Sequence, residues 1–580
     1  MVIDAKNGIV KLNQPGNIPA NESSTMKAHL HHLLTQILKR CTKSGRVVGV
    51  RRDTPLARAL FPLVSLLAIA WFLLRTLPEP RRADYPCQKV AAGIGVGFIA
   101  WLGTVLLTVT GLRLIRRRAG VVVAIAAGVA VMAFIYHSES FGVASKSTLP
   151  FPTDPQVFTN PEGANQPMGE GKGIFPGRVV WVQDFTATKW DGKTGNWWEA
   201  QNVDQAVADK MFARSLQELT GAKTEAEAWD KLFRHFNQTR GHGDRGYQKG
   251  EKITIKVNLN ADEKPGPWMN CGFPSPHMVY AMVRGLVEHV GVPGYCITLN
   301  DSSRPIKDML VSRLHADPRP EFHQVLAVDR LGGSEPWRAK SEPDMDHPVH
   351  FDMPDHLPIK LYLPRAYTEA TYLINFALFR PHRVFGVTMA FKNHFGSVYD
   401  PEGQYKGFKP NQLHAFALWD YTTPYKHGQV NGLVPLLGHK DVGGKTLLYF
   451  VDGLYTPPNQ TAPVVRWSTL GDRWFSSVLA SLDPVALDSV GYDLICTEPK
   501  LTTQPDGRPN PSFNGNVDGY LHEAALAANP PSKAKYDPEG DGSTLASLGV
   551  HEHWNNAKEM KYSRNLGKKD GIELIRISAN

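Results

Sequence analysis

The sequence predicts an α/β fold, a mostly parallel sheet flanked by helices, preceded by an N-terminal transmembrane helical anchor. Three observations carry this. Long apolar runs are confined to the first 140 residues of 580. Beyond residue 177 short β-branched runs alternate with helical periodicity, the pattern of βαβ units. Polar residues then follow directly after several of those runs, where a parallel sheet presents its carboxyl ends.

The apolar runs are 56–74, 90–112 and 121–136. About 20 residues cross a bilayer core at 1.5 Å rise per residue, so the second run is ample, the first adequate and the third short. A buried or re-entrant helix is the alternative for the third. Some 55 residues precede the first run, too many for a cleaved secretory signal, whose apolar stretch lies near the N-terminus. Lys39, Arg40, Lys43, Arg46, Arg51 and Arg52 before the first run, and Arg113, Arg116, Arg117 and Arg118 between the second and third, assign both segments to the cytoplasm. Three crossings then put the rest of the chain outside. The expected organisation is a basic cytoplasmic segment (1–55), a multi-pass anchor in a bacterial inner membrane (56–137), a Pro/Gly-rich linker (138–176) and a periplasmic α/β domain (177–580).

Charge divides the same way. Residues 1–150 hold 19 Lys and Arg against 6 Asp and Glu, and the remaining 430 hold 45 against 49. The basic excess belongs to the anchor, where it suits anionic lipid headgroups. The lipid bilayer is the expected partner, and nucleic acid is not. Cys41, Cys87, Cys271, Cys296 and Cys496 are too dispersed for zinc or iron–sulfur ligation, which disfavours an iron–sulfur cluster. A Cys271–Cys296 disulfide stays open in an oxidising compartment.

Along the soluble part, RVVWVQ at 178–183 predicts a strand. Helices follow at 203–219, where Ala208, Met211, Phe212, Leu216 and Leu219 share a face, and at 225–236. ITIKVNL at 253–259 is the second strand. Ser275 and Pro276 supply an N-cap and first helical residue for a helix to about residue 289, stopped by Gly291 and Pro293. Strands are expected at 296–299, 371–377 and 447–451, and Asp483-Pro484 opens a further helix. The stretch 344–356 (DMDHPVHFDMPDH) looks metal-binding by composition, but its prolines favour a solvated insertion loop. Trp190, Trp197 and Trp198 either cover a pocket or pack in their loop.

The candidate site consists of strand-end residues: Asp184, Asn258 and Asn260, Asp301, His382 and Asp452. Any one of them alone is equally an Asx turn or a helix cap. IKVNLN at 255–260, the strand-end Asp301, FRPH at 379–382, GVTMAFKNHFG at 386–396, FVDGL at 450–454 and DPVALDSVGYDL at 483–494 together resemble the family called domain of unknown function 362. HEHWNN at 551–556 and YSRNLG at 562–567 resemble closing motifs of its longer-chain branch. The resemblance implies the fold and a strand-end site, and it implies no reaction. Some family members carry a ferredoxin-type module, which this chain lacks.

Two chemistries suit the cluster. Lys392 and Asn393 beside Gly396, with Lys256 on the second strand and Asn258 and Asn260 at its end, offer ammonium, amide and backbone donors to an anionic small molecule such as a phosphate or carboxylate. Asp301, His382 and Asp452 instead offer oxygen and imidazole to a divalent metal ion, with His551 and His553, which would face one side if extended, folding back onto it. An enzyme would use His382, Lys392 and Asp452 as its catalytic groups. The alternative is a non-catalytic membrane-tethered ligand-binding or assembly module. There is no GxSxG elbow, phosphate loop or HExxH helix, so serine-hydrolase, nucleotide-hydrolase and zincin readings lack support.

Overall fold

A computed structural model of the chain describes residues 38–40, 47–50, 163–259, 271–351, 359–382, 386–401, 428–460, 462–503 and 516–578. The chain divides into two compact units, Met1–Lys146 and Ser147–Asn580. In the first, the described residues form an antiparallel pair, Leu38–Arg40 with Val47–Val50. The three apolar runs lie outside the described residues, among which no helix is long and apolar enough to cross a membrane.

The second unit is built from β1 (Arg178–Gln183), α1 (Gln205–Thr220), α2 (Glu225–Thr239), β2 (Ile253–Val257), α3 (Pro276–Gly285), β3 (Ile297–Asp301), α4 (Asp308–His315), β4 (Leu326–Asp329), β5 (Arg338–Lys340), β6 (Pro343–Phe351), β7 (Ile359–Pro364), β8 (Tyr372–Leu378), β9 (Thr446–Gly453), β10 (Ser477–Ser481), α5 (Pro484–Cys496), α6 (Asn516–Ala525) and β11 (Glu573–Ser578). Nine strands form one sheet in the order β11-β1-β10-β9-β8-β2-β3-β4-β5. Only β10 runs against the others. Strands β2, β8, β9 and β10 are buried at every residue, as expected of strands covered on both faces. One face packs Ile255, Leu299, Phe376 and Phe450 against α1 to α4. The other packs Leu373, Ala377, Val451 and Leu479 against α5, α6 and the short helix Leu433–Gly438.

Local signals account for most element ends. Asp204 caps α1 by accepting from Val207 N at 3.2 Å, and Gly221 ends it in the left-handed region. Ser275 caps α3, whose α-form stops at Gly285 before a π turn over Leu286–Val290 and the left-handed Gly291. Asp483 joins three segments: its carboxylate accepts from Ala486 N (2.8 Å) in α5, from Lys172 N (2.9 Å) and from Val550 N (3.1 Å).

Two expectations are corrected and two open alternatives are resolved. Residues 163–176 are not all linker, because Met168–Gly169 pairs with Val550–His551 and Asn165 N donates to His553 O at 2.9 Å. The stretch from 344 is a strand as far as Phe351: β6 pairs with β7, and Val349 and Phe351 sit in the core, so an apolar alternation outweighs the prolines. Residues 352–358 lie outside the described ones. Cys271 and Cys296 are separate buried thiols, Cys271 opposite Pro463 and Cys296 at the entry to β3. Trp190 and Trp197 are loop packing, buried against Tyr455, Trp474 and Phe273.

The strand order fixes where a ligand site belongs. From β2 the chain steps through β3 and β4 toward one edge, and from β8 through β9 toward the other. Neighbouring β2 and β8 therefore form the topological switch point, and the crevice outside their carboxyl ends is where open α/β sheets bind ligands.

Candidate functional site

Lys256 lies at that switch point. It is the penultimate residue of β2, on the face opposite Ile255 and Val257, in register with Asn300 of β3 and Asn375 of β8. Its ammonium donates to Val257 O (2.7 Å), Asp301 Oδ2 (3.2 Å) and Asn393 Oδ1 (3.3 Å), and the residue is 1% exposed. Burial lowers its pKa, and Asp301 opposes that. Asp301 also accepts from Leu259 N (3.1 Å), Ser303 N (3.0 Å), Ser303 Oγ (2.9 Å) and Arg304 N (3.1 Å). Asn393 ties the segment after β8 to the sheet by donating to Lys256 O (2.9 Å) and Asn375 Oδ1 (2.8 Å). The short helix Ala390–Asn393 is held from behind by Asp488 of α5, which accepts from Ala390 N at 2.8 Å.

Around this frame stands a group of cations. Arg380, two residues beyond β8, is 2% exposed and donates to Gly272 O (3.1 Å) and Asn258 Oδ1 (2.9 Å). Both partners are neutral, and its Nε has no hydrogen-bond partner among the described residues. Burial lowers its pKa to about 9, so it stays charged at neutral pH. Lys392 is buried with its ammonium 3.6 Å from the centre of the Phe395 ring. Its pKa is driven well below the ordinary lysine value by burial, then by the positive charges of Arg380, Lys256 and Arg304, and Asp301 only partly offsets them. His394, fully buried, hydrogen-bonds Tyr367 OH through Nδ1 at 3.2 Å; burial and then Lys256 lower its pKa to about 3, so it is neutral.

Gly396 shows how tightly the frame closes. A Cβ there would lie 2.2 Å from Ser303 Oγ, so the segment after Lys392 approaches the Asp301 turn only because this residue has no side chain. Gly386 is different, a positive-φ turn residue (φ +77) in the ladder that pairs His382 with it.

The expected site residues fall into three groups. Lys256, Asp301 and Asn393 are in direct contact, and Asn258 reaches the same crevice through Arg380. Asn260 lies outside the described residues. His382 is buried (5% exposed) in the short strand Pro381–His382. Asp452 at the end of β9 accepts from Ser275 N (2.7 Å) at the start of α3 and from Leu454 N (3.1 Å), and burial raises its pKa to about 6.

A metal-capable grouping is present that shares only His551 and His553 with the expected set. Among the described residues the side chains that could hold a metal ion together are Asp518, His551 and His553, a set without Asp301, His382 or Asp452. Asp301 already meets an ammonium and three backbone N–H groups, which compete with a cation for its oxygens. Asp518 lies in α6, and nothing in its local sequence marks it. The alternation of His551 and His553 does put both on one side, while Glu552 between them turns away to accept from Ser563 Oγ (2.6 Å).

The fold is an open α/β sheet covered on both faces, with buried cations and polar groups gathered at its switch point. Residues 253–493 match the model of the family described as Domain of unknown function (DUF362), and this part of the chain belongs to that family. The match contains Lys256, Asp301, Arg380, His382, Lys392, Asn393 and Asp452 and excludes Asp518, His551 and His553. No curated protein matches the chain.

Proposed function

We propose that this protein binds a small oxyanionic molecule, a phosphate or carboxylate, in the crevice at the switch point and acts on it as an enzyme. The observation that carries the reading is Arg380, a guanidinium 2% exposed whose hydrogen-bond partners Gly272 O and Asn258 Oδ1 are neutral and whose Nε has no hydrogen-bond partner among the described residues. Lys392, Lys256, Arg304 and Asp301 act electrostatically on one another beside it. A buried cation so placed favours an anionic occupant, because it is costly to hold away from water without a counter-charge. Lys256 is fully engaged with Val257, Asp301 and Asn393, so it acts as a positioning residue and a source of field. Lys392, Arg380 and Arg304 are the groups that meet the ligand. His382 and Asp452 are assigned proton transfer, a role for which a carboxyl group raised to about 6 is suited.

An anion entering the crevice raises the depressed pKa of Lys392, so binding takes up a proton. Affinity must then fall as the pH rises through the range below the ordinary lysine value. Ionisation of Asp452 above about pH 6 acts in the same direction. Calorimetric titration of the chain with sulfate, which does not itself titrate there, should show proton uptake as a difference in heat between two buffers of unequal ionisation enthalpy. Binding with no buffer dependence, or affinity that rises with pH, would remove this reading.

The proposal also places the crevice on the periplasmic side, tethered by the N-terminal anchor, as the distribution of Lys and Arg supports. Alkaline phosphatase fused after residue 145 is expected to be active in intact cells. An inactive fusion at normal expression puts the domain in the cytoplasm.

A further inference from the structure

We propose that Asp518, His551 and His553 form a second site, for a divalent first-row transition-metal ion of the Zn2+ type. Two imidazole nitrogens and one carboxylate oxygen all lie within 4.8 Å of one another, and all three side chains are buried. His553 Nε2 is 3.3 Å and His551 Nε2 4.0 Å from Asp518 Oδ1. Ligands at about 2.0–2.2 Å from a tetrahedral zinc lie roughly 3.3 Å apart, so an ion requires a contraction of about 0.7 Å between His551 and Asp518 and of at most about 1.5 Å between the two imidazoles.

Proton bookkeeping supports this reading. His553 Nδ1 is 2.7 Å from Asp493 Oδ1; a carboxylate only accepts, so Nδ1 carries a proton, and an entering cation that displaces the proton from Nε2 would meet its lone pair there. Asp493 is itself fixed by Tyr562 OH (2.8 Å) and Trp554 N (3.2 Å). His551 Nδ1 is 2.8 Å from Ser489 Oγ. That hydroxyl spends its one hydrogen on Val485 O at 2.7 Å, so toward His551 it accepts, and His551 too directs an Nε2 lone pair at Asp518. Two imidazoles locked into one tautomer by outer hydrogen bonds, one of them to a carboxylate, are the second-shell pattern of metal-binding histidines.

The donor set selects the ion. Two imidazoles with one carboxylate suit Zn2+, Fe2+, Co2+ or Ni2+ and do not suit Mg2+ or Ca2+, which take oxygen shells. A cavity of about 250 Å³ lined by Gly163, Gln166, Met168, His551, Glu552 and His553 adjoins the site, so a water or exogenous ligand can fill the open coordination position. The ion would fasten α6 to the C-terminal segment that lies along α5. The site shares no residue with the anion crevice, so either can fail alone.

The test is elemental analysis of the purified full-length chain, stripped with a chelator and dialysed against equimolar Zn2+. The expected result is one ion per chain, reduced at least tenfold by His551→Ala and by Asp518→Asn. Asp493→Asn, which keeps all three ligands, is expected to weaken affinity by about 10–100-fold. Should a ligand variant fail to fold, the Co2+-loaded wild-type chain gives a second readout, the visible absorption of a low-symmetry nitrogen–oxygen site. A folded wild-type chain that retains no ion and shows no such absorption, or a His551→Ala chain that binds as the wild type does, would overturn the proposal. In that event His553 is an imidazolium held between Asp493 and Asp518.

Discussion

Lys256→Met is expected to destabilise the fold by about 3–5 kcal/mol, the usual cost of removing one partner of a buried ion pair. Lys256 and Asp301 are each 2% exposed at the side chain and 3.2 Å apart. Methionine keeps the volume but leaves the Asp301 carboxylate in the interior without its ammonium, and it leaves Asn393 Oδ1 and Val257 O without the donor they shared. Urea unfolding at constant pH measures the loss. The double variant Lys256→Met/Asp301→Asn removes the stranded charge and should recover at least about 1 kcal/mol, the scale of coupling between residues in contact. Purely additive losses would mean that the two groups do not form a pair.

Lys392→Met should have the opposite effect on stability and a large effect on binding. Removing a buried ammonium from beside Arg380, Lys256 and Arg304 relieves both desolvation and like-charge repulsion. The ligand-free fold is therefore expected to gain about 0.5–2 kcal/mol, as happens when a functional group is held at the expense of stability. The thioether still packs on Phe395 in place of the ammonium. Because the pKa of Lys392 is lowered in the fold, the unfolded chain binds the extra proton, so wild-type stability rises with pH below the ordinary lysine value. That slope should be lost in the variant. Sulfate affinity should fall about 10–100-fold, the worth of a hydrogen bond to a charged group. A variant that is destabilised and binds sulfate normally would show Lys392 to be a structural residue.

The central strands were legible because burial on both faces writes continuous apolar runs. ITIKV and YLINFAL carry one residue each toward the candidate site, Lys256 and Asn375, and Thr254 in the first is spent on Ala366 O (2.6 Å). Strand β10 was not foreseen: SVLAS has two large apolar residues, and its place between β1 and β9 is set by tertiary pairing. The terminal β11 alternates clearly (ELIRIS), yet its place beside β1 is a contact across almost 400 residues. Lys256, Asp301, Asn393 and Lys392 can be read as one cluster because Lys256 and Asp301 sit at the carboxyl ends of strands and the other two lie between Gly386 and Gly396. Arg380 stands in the sequence within the FRPH motif, and an arginine two residues beyond a fully buried strand is itself a signal. Asp518 carried no local signal, because only packing of α6 against the C-terminal segment brings it to His551 and His553.

Crystals of the protein soaked in tungstate test the crevice most directly, since the heavy atom of an oxyanion reports its own position by anomalous scattering. The account requires a peak beside Lys392 and Arg380 at the carboxyl ends of β2 and β8, weakened in Lys392→Met. Peaks confined to surface lysines, with that crevice filled by water alone, would contradict it.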